Sequence, residues 1–505
     1  MGKKFLWMLG GISAVALLCG SVSLRAQRPG PTVYVALWFD TEDYILPQSA
    51  EAAKRIAVLL RQRDIRATFK LVGEVARSYE RSNRTDVIAA LSHHEIGYHT
   101  NFHSQHPTLA EYLEPLGWEE GVAEFDRRER PGVELLRKMF GALPTAFGQP
   151  GSSWAPQIYG GLRKWGSPVY LDAMSHVRLN GKPFYFGGIL NILESEMAGS
   201  IRPNEDFSNL QEGKNKFSSL YERRMAEGGG IISIYYHPCE FVHKEFWDKT
   251  NFAKGANPPP ADWKLPPLLS PEDSEASFRH FEQLVDYMMR FPRVKFITAS
   301  DAAQLYRDTA QRRVYSRREL ADIAEQVDSD ITFQIYPNYT LAPSEVFSLL
   351  TFYLAQQISE RSNAAITLSG TPFGPSSSAA RLSGPQEIPW GQFFRTVLEV
   401  EATLRKSNKI PSVIWFGSTP CPPESYLAAA AEMARLLLDG SEVPDVVQIA
   451  PATLTTEQYV ADNDPRLWGW VIFPENFSAP NLMALGKLQA WTLKPALLST
   501  STRRR

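Results

Sequence analysis

From Thr32 to about Tyr306, segments with the apolar pattern of a buried strand alternate with segments whose apolar residues have helical spacing. Val33 to Phe39 is a continuous apolar run, which predicts a strand buried on both faces. Gln48 to Arg63 carries apolar residues at helical spacing, and Ile231 to Tyr236 again has the composition of a buried strand. Strands that alternate with helices indicate parallel βα units in a barrel or an open sheet, whose active sites form at the carboxyl ends of the strands.

The pattern changes after about Glu319. Three amphipathic runs there begin near a proline, at Pro343, Pro389 and Pro423. Proline is favoured in the first turn of a helix, so these runs predict helices and suggest a degenerate helical repeat. At 505 residues the chain is too long for one hydrophobic core. We therefore expect a first domain over residues 31–310 and a mostly helical accessory domain over residues 319–500.

The N-terminus has the layout of a secretory signal. Lys3 and Lys4 precede an uncharged stretch from Phe5 to Leu24, and Ala26 offers a small residue for cleavage. We expect a signal peptide at residues 1–26 and a secreted or periplasmic protein. The alternative is a membrane anchor formed by residues 5–24, since that stretch is long enough to remain in a bilayer.

Composition excludes some classes of function and leaves others open. The formal net charge of −2 gives no electrostatic reason to expect a nucleic acid partner. Of the three cysteines, Cys19 lies in the presumed signal, and Cys239 and Cys421 are far apart. No disulfide framework is therefore indicated.

Two short motifs carry the candidate chemistry. Asp40, Glu42 and Asp43 follow the first predicted strand, and His99 and His103 lie four residues apart about sixty residues later. Carboxylates and imidazoles are ligands for a divalent cation, and a spare carboxylate can act as a base. Taken alone, the acidic cluster would more often be a polar loop that caps a helix, and the histidine motif that follows it favours a site.

Four segments, in this order, resemble the polysaccharide deacetylase family, also called the NodB-homology or carbohydrate esterase 4 family. The segments are Phe39-Asp40-Thr41-Glu42-Asp43-Tyr44, Ala67-Thr68-Phe69-Lys70-Leu71-Val72-Gly73, the histidine stretch 94–103 and Tyr235-Tyr236-His237-Pro238-Cys239-Glu240. The first looks like the subgroup written Asp-x-Glu-Asp. The resemblance covers residues 31 to 306 and implies a distorted (β/α) barrel of the NodB-homology type, an α/β fold.

The resemblance also implies roles for the matched residues. Asp40 would be the general base, and His237 would protonate the leaving group. His99 and His103 would bind a divalent metal, zinc being the first expectation, together with either Glu42 or Asp43. The sequence leaves the choice between these two carboxylates open. Cys239 beside the histidine could suggest a thiol nucleophile, but a packing role is favoured.

One residue departs from the family pattern. Gln149 stands where the family carries an arginine that orients the catalytic aspartate. Glutamine can donate a hydrogen bond to a carboxylate but brings no charge. Another cation replaces the arginine, or the enzyme is slow, altered in substrate or inactive.

The second region bears a faint likeness to a pseudomurein-binding repeat, in residues 405–415 and 423–427. That likeness would imply attachment to a cell-wall polymer, whereas the plainer interpretation is a helical domain that packs on the barrel. The sequence as a whole predicts an exported metal-dependent hydrolase that removes acetyl groups from a glycan. The alternatives are a catalytically weak glycan-binding protein and an amide hydrolase with a non-sugar substrate.

Overall fold

A computed structural model describes residue 2 and residues 30–173, 175–195, 210–359 and 366–499. One ten-stranded sheet dominates it, and the remaining strands form five two-stranded pairs. In chain order the strands are β1 (Val33–Thr41), β2 (Thr68–Leu71), β3 (Glu95–Tyr98), β4 (Ala146–Phe147), β5 (Val169–Asp172), β6 (Phe184–Phe186), β7 (Ile189–Leu193), β8 (Gly230–Tyr236), β9 (Val294–Ile297), β10 (Val314–Tyr315), β11 (Asp330–Ile331), β12 (Gln334–Ile335), β13 (Thr340–Leu341), β14 (Ile366–Thr367), β15 (Gln386–Pro389), β16 (Ile414–Phe416), β17 (Thr419–Cys421), β18 (Val446–Ile449), β19 (Thr453–Leu454) and β20 (Lys494–Pro495).

The helices cover the outside of this sheet and build the C-terminal region. They are α1 (Pro47–Gln62), α2 (Gly73–Arg81), α3 (Thr85–Leu91), α4 (Leu109–Leu113), α5 (Trp118–Phe140), α6 (Ile158–Trp165), α7 (Leu210–Ala226), α8 (Trp247–Phe252), α9 (Pro271–Met289), α10 (Ala299–Leu305), α11 (Arg317–Glu325), α12 (Pro343–Ser359), α13 (Trp390–Ser407), α14 (Pro423–Asp439) and α15 (Pro480–Gln489). Their ends follow local rules: α9 begins at a proline after the capping residue Ser270, and α14 ends at Gly440 in the left-handed conformation.

The large sheet runs in the order β20-β6-β7-β5-β4-β3-β2-β1-β8, and β9 also pairs with β1. Every pair is parallel except β6 with β7 and β20 with β6. Ser195, just after β7, closes the curve toward β8, because its backbone N–H donates to the Ser233 carbonyl at 3.0 Å. The carboxyl ends of the parallel strands therefore meet at one rim, where β1, β2 and β3 deliver their polar residues.

A small inner core shows how strongly the sheet curls. Side chains from distant strands of the sheet, including Trp38 of β1, Leu171 of β5 and Tyr185 of β6, belong to one cluster of buried residues with Ala302 of α10. A flat sheet could not bring β1 and β6 into one cluster, so the strands wrap around this core and α10 lies against it. The outer helices pack against a second, larger core.

The C-terminal region is joined to the sheet at its edge. β20 pairs antiparallel with β6, so that Lys494 lies opposite Tyr185. The Lys494 ammonium is fully buried and contacts Glu345 of α12 at 2.8 Å and Asp308 at 2.7 Å. These contacts hold the last strand, α12 and the end of the first region together.

The structure confirms the predicted fold class: an α/β barrel of distorted form, followed by a mostly helical region. The division into domains at residues 31–310 and 319–500 stays a prediction. The expected signal peptide or anchor lies outside the described residues, apart from residue 2. Within the described part of the chain, no helix combines the length and the apolar character that a membrane crossing requires.

Candidate active site at the carboxyl rim of the barrel

The first strand directs two carboxylates toward the inside of the barrel. Side chains alternate along a strand, so Trp38, Asp40 and Glu42 share a face, and Trp38 belongs to the inner core. Asp43, one residue further, is placed on the opposite face. The spacing Asp-x-Glu therefore sets both Asp40 and Glu42 at the rim.

Glu42 lies between the two histidines of the second motif. Its Oε2 atom is 3.1 Å from Nε2 of His99 and 3.0 Å from Nε2 of His103, and all three side chains are buried. Its Oε1 atom accepts a hydrogen bond from the Trp247 indole at 2.8 Å. Burial alone would raise the pKa of Glu42, but the charges of His103 and His237 and the hydrogen bonds of both motif histidines hold this pKa well below its usual value.

These three side chains suit a divalent metal. Two imidazole nitrogens and one carboxylate oxygen converge in a buried place, which is the donor set and number that a catalytic zinc site uses. The Nδ1–H group of His99 donates to the Gly148 carbonyl at 2.8 Å. Because a carbonyl can only accept, Nδ1 of His99 carries a proton, and the contact fixes the ring with Nε2 directed at Glu42.

Asp43 faces away from the two histidines and forms hydrogen bonds near the start of α1. Its Oδ1 atom accepts hydrogen bonds from the backbone N–H groups of Ile45 and Leu46 at 2.8 and 3.2 Å, and its Oδ2 atom accepts from the Ser49 hydroxyl at 2.6 Å. His243 lies 2.9 Å from the same Oδ2 atom. Asp43 thus organises the entry into α1, and of the two carboxylates left open by the sequence only Glu42 faces both histidines.

The histidine loop departs from ordinary backbone geometry. Thr100 has a φ of 63° and His103 a φ of 54°, in the left-handed region that residues with a Cβ rarely adopt. The Thr100 hydroxyl accepts a hydrogen bond from the His103 backbone N–H at 3.2 Å. Strain of this kind is often found at functional sites, where the surroundings enforce it.

His237 approaches the same place from β8. Its Nε2 atom is 3.9 Å from Oδ2 of Asp40 and 3.9 Å from Oε2 of Glu42. Its Nδ1 atom lies 2.9 Å from Oε1 of Glu240, and a carboxylate can only accept, so Nδ1 carries a proton. Cys239 is buried, and burial raises the pKa of its thiol well above the usual value, as the packing interpretation requires.

A buried lysine pairs with Asp40. The register of β1 and β2 sets Lys70 directly opposite Asp40, and Lys70 Nζ lies 2.8 Å from Asp40 Oδ1. The ammonium also donates to the Leu171 carbonyl at 2.7 Å and lies over the Trp38 ring. A Cβ atom at Gly148 would overlap Nζ, so glycine there makes room for the lysine.

The hydrogen bonds of Gln149 are made to Asp172 and Gly151, and not to Asp40 as expected for the missing arginine. Its backbone N–H donates to Oδ2 of Asp172 at 3.0 Å, and its side-chain amide donates to the Gly151 carbonyl at 3.4 Å. Burial raises the pKa of Asp172 to about 7, although the charge of Lys70 opposes that shift. Gln149 still lines the cleft beside Asp40.

The cleft above these groups has a volume of about 360 Å³. The barrel supplies one side with Asp40, Gln149 and His237, and the C-terminal region supplies another with Arg466 and Trp470. Sequence reasoning missed Lys70 and the C-terminal wall. A charged residue inside a short buried strand was the available signal for Lys70, whereas no local pattern marks Trp470.

Comparison with known protein families finds a match for the first region of the chain. Residues 27–170 match the family model described as polysaccharide deacetylase. No curated protein has a significantly similar sequence.

Several solved structures match part of this chain, with low sequence identity. A Mycobacterium smegmatis protein assigned as a polysaccharide deacetylase is 14% identical, with 55% of this chain and 90% of that chain covered and a TM-score of 0.37. An allantoinase is 13% identical (57% and 97% covered, TM-score 0.38), and a peptidoglycan N-acetylglucosamine deacetylase is 15% identical (54% and 89% covered, TM-score 0.29). Likeness at this level says nothing about substrate. The match over residues 27–170 shows that the first part of this chain is similar to a polysaccharide deacetylase domain, while its subgroup and the C-terminal repeat stay predictions.

Proposed function

We propose that this protein is an exported, metal-dependent hydrolase that removes acetyl groups from a glycan. The observation that carries the proposal is the buried cluster of Glu42, His99 and His103, with Asp40 and His237 beside it at the floor of one cleft. The match to the polysaccharide deacetylase family supports the reaction class. An acetylated glycan or cell-wall polymer is the proposed partner.

Glu42, His99 and His103 would hold the divalent ion, with zinc as the first candidate. A bound ion of this kind polarises an acetyl carbonyl and makes a water molecule more acidic. The protein side chains already favour that occupant, since Glu42 is held as a carboxylate and the Gly148 carbonyl fixes the His99 ring with Nε2 directed at the same place.

Asp40 is positioned to accept a proton from the attacking water. Its Oδ1 atom is paired with Lys70 at 2.8 Å, which leaves Oδ2 on the side of His237. The oxygen of the water forms the new bond to the acetyl carbon, and the bond from that carbon to the sugar nitrogen or oxygen breaks. A fixed carboxylate close to the reacting water is what general base catalysis requires.

His237 is positioned to return a proton to the leaving group. Glu240 fixes its ring through Nδ1, so that Nε2 is directed at the cleft beside Asp40. Protonation of the departing nitrogen or oxygen releases the free amine or hydroxyl of the sugar, and acetate is the other product. Edge contacts from Tyr235 and Phe246 hold the imidazole in this orientation.

Lys70 supports the enzyme over the weak glycan-binding protein. Gln149 stands where the family carries an arginine, so Asp40 lacks the cation expected from that position. This lack is the reason to consider an inactive protein. Lys70 brings a buried positive charge to the same carboxylate from the neighbouring strand. An alternative source of that charge removes the main objection to turnover.

The C-terminal region and the N-terminal segment extend the proposal. We infer that residues 319–500 form an accessory domain that binds a cell-wall polymer and that residues 1–26 direct export, with a membrane tether if cleavage fails. The helices α12, α13 and α14 each follow a short strand and begin at or just after a proline, which supports a repeated unit. Trp415 on the β16–β17 hairpin is 53% exposed and offers a flat aromatic surface to a sugar.

Metal content and acetate release together test this function. The purified mature protein is analysed for bound metal and incubated with acetylated chitin oligosaccharides, acetylated xylan and peptidoglycan. Near-stoichiometric metal with acetate release supports the proposal, and Asp40→Asn is the matched control that should keep the metal and lose turnover. Metal without acetate would favour another amide substrate or a binding role, and absence of metal would remove the mechanism.

A further inference from the structure

His103 lies between two tryptophan rings, one from each region of the chain. The Trp247 ring of α8 has its centroid 5.3 Å from that of His103 with an interplanar angle of 43°. The Trp470 ring of the C-terminal region lies at the same distance with an angle of 88°. His103 is only 4% exposed, so packing on both sides limits the rotation of its imidazole.

Hydrogen bonding orients His103 less firmly than His99. The Nδ1 atom of His99 has a carbonyl partner, Gly148, which fixes the protonated nitrogen. The Nδ1 atom of His103 lies 2.6 Å from the Ser104 hydroxyl, which can either donate or accept. The orientation of His103 therefore depends more on the rings that enclose it.

Trp470 is itself held in place by the barrel. Its indole N–H donates to Oδ2 of the buried Asp248 at 2.8 Å, and its backbone N–H donates to the Ser152 hydroxyl at 3.3 Å. Gly151 has a φ of 49°, and a Cβ atom there would overlap the Trp470 ring. These contacts give the ring one defined position against His103.

We propose that Trp470 is a positioning residue for His103, and that the C-terminal region thereby completes the metal-ligand cluster of the barrel. The inference rests on the proposed function, in which Glu42, His99 and His103 bind a divalent metal. Without the Trp470 ring, the His103 imidazole gains freedom to turn away from Glu42. Loss of a side chain that hydrogen-bonds a metal ligand typically lowers metal affinity about 10- to 100-fold, and we expect an effect of the same order when the ring that fixes His103 is removed.

The test measures metal affinity in the full chain without substrate. Competition with a chromogenic chelator gives the Zn²⁺ affinity of wild type, Trp470→Ala and Trp470→Phe, and the Co²⁺ absorption spectrum reports the ligand geometry. Trp470→Ala should bind Zn²⁺ about 10- to 100-fold more weakly and shift the Co²⁺ spectrum. Trp470→Phe should recover most of the affinity, because a ring still lies against His103.

Trp468→Phe is the matched control. Trp468 is buried two residues away and packs on His176 and Phe477, so this variant disturbs the same segment without touching His103. Its Zn²⁺ affinity should stay within about twofold of wild type. If Trp470→Ala does not fold, Trp470→Leu fills the same space without a ring and should bind Zn²⁺ more weakly than Trp470→Phe.

Two results would overturn the inference in different ways. A folded Trp470→Ala protein, or a Trp470→Leu protein in its place, that binds Zn²⁺ as tightly as wild type and keeps the Co²⁺ spectrum would remove the positioning role alone. A wild-type protein that binds neither Zn²⁺ nor Co²⁺ would remove the proposed metal-dependent function as well.

Discussion

Replacement of Lys70 by methionine removes the buried positive charge that β2 places beside Asp40. Methionine keeps the length of the side chain and its contact with the Trp38 ring, so the perturbation falls on the ion pair. Lys70 is fully buried, and its ammonium lies 2.8 Å from Oδ1 of Asp40. The variant therefore leaves a mostly buried carboxylate without its partner.

The size of the effect follows from burial. Removal of one member of a buried ion pair costs about 3–5 kcal/mol of folding stability. The lower end applies here, because the Asp40 side chain keeps 9% exposure and faces the cleft. General acid–base catalysis contributes about 10²- to 10⁴-fold to a rate, so we expect kcat/KM of Lys70→Met to fall about 10²-fold when Asp40 loses the cation that holds it as a carboxylate.

The assay compares kcat/KM for acetate release with metal content and circular dichroism of the same preparations. Lys164→Met is the matched control, since Lys164 is more than half exposed and pairs with Asp126 away from the cleft. Gly148→Ala should act in the same direction as Lys70→Met, because its methyl group crowds the ammonium. A metal-replete, folded Lys70→Met protein with kcat/KM within threefold of wild type would refute the role assigned to Lys70.

Three further predictions concern the ligands, the junction and the pH dependence. His99→Ala should lose bound metal, whereas Asp43→Asn should retain it, as elemental analysis of both proteins would show. Lys494→Met should lower the free energy of unfolding in urea by about 3–5 kcal/mol, since Glu345 is left buried without its cation; an unchanged midpoint would contradict this. Burial lowers the pKa of His176 to about 3, below its unfolded value of about 6.5, so its contribution to stability is complete above pH 6.5 and is lost as the pH falls toward 3. Wild type should therefore lose ~3 kcal/mol more than His176→Gln between pH 7 and pH 4, and equal losses in urea titrations would argue against a neutral buried ring.

Much of the candidate site could be predicted because its residues belong to short local patterns. Asp40 and Glu42 lie at the end of an apolar strand with a spacing that places them on one face, and His99 and His103 share one loop. The choice between Glu42 and Asp43 could not be made from the sequence. It depends on which carboxylate accepts hydrogen bonds from Leu46 and Ser49 at the start of α1, and both faces of the strand end carry a carboxylate.

Lys70 and Trp470 illustrate what local patterns cannot provide. The Thr-Phe-Lys-Leu strand is short and buried, and its lysine becomes meaningful only when the register with β1 is known. Trp470 contacts His103 although the two residues are more than 350 positions apart in the sequence. No periodicity or spacing encodes such a contact, because it depends on how two separately patterned regions pack.

The pairing of β20 with β6 has a consequence for how the chain acquires its structure. Residues 184–186 are synthesised about 300 residues before their partners at 494–495, so one side of β6 stays open during most of translation. An unpaired strand edge invites association with other chains. We therefore expect a chaperone that shields the nascent barrel to raise the yield of folded protein, and shortened versions lacking the last strand to aggregate even when every proposed metal ligand is present.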